Sequence, residues 1–87
     1  MITIYKFELN TIATTQKLLL YEGAEIIRVG LDPRGVSCIW AIVDTQMPRI
    51  NFDIYIMGTG QQLPDVKGLT YIGSFNADEY VWHVFRA

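Results

Sequence analysis

Apolar and polar residues change places at every second position through most of this chain. In Ile2–Leu9, Ile2 and Ile4 share a face with Lys6 and Glu8, while Tyr5, Phe7 and Leu9 share the other. In Arg49–Met57, Phe52, Ile54 and Ile56 point one way and Asn51, Asp53, Tyr55 and Met57 the other. Tyr80–Arg86 repeats the alternation, with Val81, His83 and Phe85 opposite Trp82 and Val84. A period of two is the mark of a strand with one buried face. Gln16–Tyr21, Glu25–Leu31 and Leu69–Phe75 read the same way. In these, Arg28 falls on a face with Ile26 and Gly30, and Leu69, Tyr71 and Phe75 fall together with Gly73. Val36–Asp44 differs, being apolar on both faces: Val36, Cys38, Trp40 and Ile42 on one, Ile39, Ala41 and Val43 on the other. Such a strand is central in a sandwich or lies at an interface.

Turn chemistry separates these runs. Asp32-Pro33-Arg34-Gly35 has Asp first, Pro second and Gly last, the preferred order of a type I turn. Glu22-Gly23-Ala24 predicts a hairpin between its flanking strands, Thr45–Pro48 a linker, Gln61–Gly68 a loop and Asn76–Glu79 a last turn. Asn10–Thr15 reads as a connection, with a short helical turn over Thr11–Lys17 as the alternative. The sum is an all-β single domain over residues 1–87, a small sandwich or barrel of about seven short antiparallel strands.

Composition adds a surplus. Of 87 residues, 51% are apolar and 18% charged, more apolar side chains than a core of this size takes up. The surplus predicts a subunit interface in a symmetric homo-oligomer, a two-fold dimer or a multiple of it. The net charge is −2 and the basic residues are scattered singly, which excludes a nucleic-acid polymer as partner. Two arginines and a few backbone N–H groups still suffice for one phosphate or pyrophosphate. The lone Cys38 permits no internal disulfide. No apolar run approaches the ~20 residues of a membrane span, and no signal-peptide pattern opens the chain. The expectation is a cytoplasmic protein without membrane contact.

Chemistry is sparse. One histidine and one cysteine make no metal cluster, so neither metal nor cofactor is expected. No serine or cysteine is paired with a base by spacing, and Asp32, Asp44 and Asp53 form no acid–base motif, so no catalytic residue is named. What remains suits binding. Gly58-Thr59-Gly60-Gln61 follows a strand and offers donors beside a sharply bending backbone. Pro64 leaves no room for the helix of a nucleotide-binding glycine motif. Trp40 and Trp82 are core residues or stacking platforms for a base. His83 is a packed histidine, a hydrogen-bonding pocket residue or a general acid–base. Arg28 and Arg49 are phosphate ligands or ordinary surface ion pairs. The predicted site is a pocket where Gly58–Gln62 meets the strand of Trp82 and His83, which face opposite ways and so cannot both enter it from one subunit.

One combination spans nearly the whole chain: Ile4-Tyr5-Lys6-Phe7, Gly23-Ala24, Val29-Gly30-Leu31-Asp32-Pro33, Gly35, Cys38, Trp40-Ala41, Val43-Asp44, Gly58-Thr59-Gly60, Leu63-Pro64, Tyr71–Phe75 and Val81-Trp82-His83-Val84-Phe85. It resembles a family of short, uncharacterised phage and prophage proteins that open with I-Y-K-F and end in V-W-H-V-F. Gln61 stands where relatives carry another polar residue such as histidine, so no histidine role carries over to that position. Proteins of this size and character are similar in kind to viral sponges. Those sequester nucleotide immune signals, such as cyclic ADP-ribose isomers or cyclic dinucleotides, without cutting them. The resemblance therefore implies an anti-defence protein holding a small nucleotide-derived ligand. The alternatives are a structural or interaction module docking on a host or virion protein, and an enzyme that cleaves a nucleotide.

Overall fold

The computed structural model describes residues 1–11 and 13–87. Seven strands follow in order: β1 (Ile2–Glu8), β2 (Thr15–Tyr21), β3 (Glu25–Leu31), β4 (Ser37–Asp44), β5 (Arg49–Gly58), β6 (Thr70–Ala77) and β7 (Tyr80–Arg86). All pairing is antiparallel. A three-stranded sheet has the order β1-β4-β3 and a four-stranded sheet the order β2-β5-β7-β6. The two face each other as a sandwich, not as a closed barrel. The described residues contain no helix, and hence none long and apolar enough to cross a membrane.

The alternation of the sequence sets the layers. Ile39, Ala41 and Val43 from β4 meet Phe52, Ile54 and Ile56 from β5, with Leu20, Phe75 and Val84, in one buried cluster. Phe7, Ile26, Val29 and Trp82 pack at its margin. Two bulges correct the simple alternation. The β3–β4 register shifts between Ile26 and Arg28, so Ile26 packs on the core while Arg28, paired with Trp40, turns outward. The β6–β7 register shifts between Tyr71 and Gly73, so Tyr71 is exposed while Phe75 is buried. Neither pair shares a face as the unbroken period predicted. An inserted residue reverses the facing of everything after it.

Two connections also differ from expectation. Ala24 N–H donates to Tyr21 O at 3.0 Å, closing the predicted turn. Yet β2 and β3 belong to different sheets, so the turn carries the chain across the sandwich and makes no hairpin. The predicted helical turn over Thr11–Lys17 lies partly outside the described residues, and Thr15–Lys17 is strand. The Asp32–Gly35 turn forms as read: Gly35 N–H donates to Asp32 O at 2.9 Å, with Gly35 at φ +81°. Asn76 and Ala77 extend β6, leaving Asp78-Glu79 as a two-residue hairpin with φ of +53° and +68°. Positive φ at both centres marks a type I′ turn.

The segment from 59 to 69 is a crossover. Gly58 and Phe75 both pair with Trp82, and Ile54 and Thr70 both pair with Arg86. Thus β5 and β6 run parallel with β7 between them. Val84 and Ile56 fill the inner face, which leaves the outer face for the crossing. Met57 points outward there and is nevertheless 5% exposed.

Candidate functional site

The outer face of the three-stranded sheet carries one continuous row. Lys6 and Arg28 both pair with Trp40, so the three side chains stand side by side across β1, β4 and β3. The bulge beside Ile27 is what delivers Arg28 to this face. Its guanidinium carbon lies 4.8 Å from the centre of the Trp40 ring, within cation–π range. Gly30, two residues on, leaves room: a Cβ there would stand 3.4 Å from Arg28 Nε. Among the described residues no carboxylate lies within 4.0 Å of Arg28.

Lys6 is held differently. Its Nζ donates to Asp32 Oδ2 at 2.8 Å. The Asp32 side chain is fully buried and also accepts from the Arg34 and Val36 N–H groups at 2.9 Å. Those donors, Lys6 foremost, lower the Asp32 pKa to about 2. The Lys6 pKa is raised in turn by the same hydrogen bond. Cys38, beside Trp40, is buried, and burial pushes its thiol pKa up. The next row joins Ile4, Ile42 and Glu25, and the β1 end of the face is apolar, with Ile2 74% and Ile4 55% exposed.

The glycine loop does meet the strand of Trp82 and His83. Thr59 Oγ1 lies 2.9 Å from His83 Nε2, and a Cβ on Gly58 would stand 3.3 Å from Trp82 Cζ3. Three of its backbone donors, however, are engaged. Gly58 N–H donates to Gln61 Oε1 at 2.7 Å, Thr59 N–H to Val81 O at 3.2 Å and Gln61 N–H to Gly58 O at 3.0 Å. Much of the loop's donor capacity is thus spent within the turn and on β7. Gly60, at φ +92°, is open to solvent on its side-chain face. The Thr59 hydroxyl and His83 ring have the separation of a nucleophile and its base, but among the described residues no hydrogen-bonded carboxylate orients the ring.

Trp82 turns inward, away from His83. Its Nε1–H donates to Ala77 O at 3.3 Å, and its ring packs against Tyr80 at 5.9 Å. Beside it lies a cavity of about 430 Å³ lined by Thr11, Leu31, Gly35, Ser37, Ala77, Asp78 and Trp82. No cation lines it. Arg49 is remote from all of these. Its guanidinium carbon stacks 4.8 Å from the Tyr21 ring centre, and it donates to the carbonyls of Leu19 and Leu20 at 3.1 and 3.3 Å.

The nine predicted ligand residues thus form three groups. Arg28 and Trp40 come together, as do Gly58, Thr59, Gly60 and Gln61 with His83 and the edge of Trp82, and Arg49 stands apart. Sequence reasoning missed Lys6 and Asp32. Their pairing joins residues 26 apart in the chain, and no local pattern announces it. Among the described residues no group of three or more His, Cys, Asp or Glu could hold a metal ion.

The fold and its surfaces define a small antiparallel β-sandwich with an aromatic–cation patch on one sheet. The chain belongs to the family described as Domain of unknown function (DUF7352), whose model matches residues 1–87. No curated protein and no solved structure matches the chain.

Proposed function

We propose that the protein binds and sequesters a small nucleotide-derived anion without cutting it, as a homo-oligomer, in the manner of a phage anti-defence sponge. One observation carries the reading: on an exposed sheet face, Arg28 lies over Trp40 with no carboxylate partner among the described residues. The guanidinium–indole pair offers a planar surface on which any base can stack, and base–aromatic stacking is worth about 1–3 kcal/mol per base. The unpaired guanidinium offers charge-assisted hydrogen bonds to a phosphate. Lys6 stands on the same row, its charge met by Asp32. Binding without cleavage fits the chemistry present: the thiol is buried and the Thr59–His83 pair has no orienting acid among the described residues.

Calorimetry with a cyclic ADP-ribose isomer and with ADP-ribose tests this. Arg28→Ala should weaken binding at least tenfold while leaving the melting temperature near that of the wild type. Heating the complex should release intact ligand. Absence of binding by the wild type, or equal affinity in Arg28→Ala, refutes the reading. A second reading, docking on a host or virion protein, is favoured by the exposed Ile2 and Ile4. A stable monomer with no thermal response to any nucleotide would support it instead.

A further inference from the structure

We propose that β1 is a self-association edge: two copies pair their β1 strands antiparallel about a two-fold axis at Tyr5, joining two three-stranded sheets into one of six. This specifies the oligomer of the proposed function, yet it stands on observations independent of any ligand. Among the described residues β1 has only β4 as ladder partner. Leu9 N–H donates to Ser37 O, and Thr45 N–H to Met1 O, both at 2.9 Å. In an antiparallel ladder the residues whose groups point at the neighbour alternate. The odd-numbered residues from Met1 to Leu9 therefore face β4. The N–H and C=O groups of Ile2, Ile4, Lys6 and Glu8 face the open side.

That open side matches itself. About a two-fold axis at Tyr5, Ile2 falls opposite the partner's Glu8 and Ile4 opposite the partner's Lys6. All four pairs join outward-facing residues, so about eight hydrogen bonds form across the seam. The usual guards of an edge strand are charge, proline and bulges. β1 has no proline and no bulge. Its Lys6 is bound to Asp32 and its Glu8 to Arg34 at 3.0 Å, so neither charge stands free against a second copy. Two of the other edges are guarded: β3 and β6 each carry a bulge and crowd each other at Val29 and Gly73. On β2, the remaining edge, Lys17 is paired with Asp53 at 2.9 Å. The seam covers Ile2 and Ile4, and it sets the partner's Ile4 beside Lys6, adding an apolar wall to the Lys6–Trp40–Arg28 row.

Light scattering and cysteine cross-linking test the register. Tyr5 opposite its own copy is a non-hydrogen-bonded pair with Cα atoms about 4.5 Å apart, within disulfide range. Tyr5→Cys should give a cross-linked dimer on a non-reducing gel. Thr3→Cys, about 14 Å or more from its copy, should not. Ile4→Lys places like charges opposite each other on a side chain that points away from the core, and should weaken the dimer at least tenfold. A monomeric wild type, equal cross-linking at both positions, or a dimer untouched by Ile4→Lys overturns the proposal. So does a monomer that takes up a foreign strand on this edge. A dimer without nucleotide affinity would refute the proposed ligand alone. A monomer that binds nucleotide would refute this seam alone.

Discussion

A single methyl group at Gly73 should open the sandwich along one side. There, β3 and β6 come from different sheets yet approach closely. A Cβ on Gly73 would stand 2.8 Å from Val29 Cβ and 3.0 Å from its Cγ2. Carbon atoms rest about 3.5–4.0 Å apart, so the shortfall is close to 1 Å. Val29 Cβ is fixed by its own backbone, so no change of rotamer relieves the contact, and the strands must part. Overpacking of this kind costs about 1–3 kcal/mol. A side chain at the φ of +154° held by Gly73 adds about 1 kcal/mol more. Gly73→Ala should therefore cost roughly 2–4 kcal/mol and lower the melting temperature by about 10–30 °C for a domain of this size. Gly60→Ala is the control. It has positive φ but open space, so only the backbone term of about 1–2 kcal/mol applies. Urea melts followed by tryptophan fluorescence compare the two. A double-mutant cycle with Val29→Gly should show favourable coupling of about 1 kcal/mol or more. Equal losses in Gly73→Ala and Gly60→Ala, or no coupling, would refute the packing argument.

Two further predictions concern stability. The Asp32 pKa is lowered to about 2, so its carboxylate stabilises the fold fully above the unfolded value near 3.9 and loses that contribution as pH falls through the folded value. Asp32→Asn should therefore be less stable than the wild type at pH 7, with the gap narrowing between about pH 4 and pH 2. A gap independent of pH in urea melts would show that the charge is not responsible. Glu79, at φ +68° in the type I′ turn, bears about 1–2 kcal/mol of conformational cost that glycine escapes. Part of that gain is offset by glycine's looser unfolded state. Glu79→Gly should thus raise the melting temperature slightly, and a clear drop would mean that the Glu79 side chain makes a contact the turn needs.

The strands and most of their facings were legible because each depends on residues two apart. Phe52, Ile54 and Ile56 point inward as their alternation required, and the Asp32–Gly35 turn formed on the strength of four residues. What escaped depends on strand neighbours. The bulges beside Ile27 and at Ile72 exist only against β4 and β7, so an unbroken period misplaced Arg28 relative to Ile26 and Tyr71 relative to Phe75. The turn at Gly23 was visible, but nothing local tells a hairpin from a passage between sheets. The candidate site was legible in part for the same reason. Trp40 and Arg28 were each singled out, while their stacking follows from the bulge, and the Lys6–Asp32 pair follows from the fold as a whole.

The crossover after β5 has a consequence for how the molecule comes into being. β7 is made after β5 and β6, yet it lies between them and is, among the described residues, the only ladder partner of β6. During synthesis, β6 emerges with nowhere to pair, and β5 holds an unfilled side until Tyr80–Arg86 arrives. The larger sheet therefore closes by insertion of its interior strand, late and in one cooperative step. Pairings so distant in sequence also make folding slow compared with local hairpins. A chain ending before Tyr80 would leave β6 unpaired and one side of β5 open, the form in which this chain is most exposed to aggregation and to proteases.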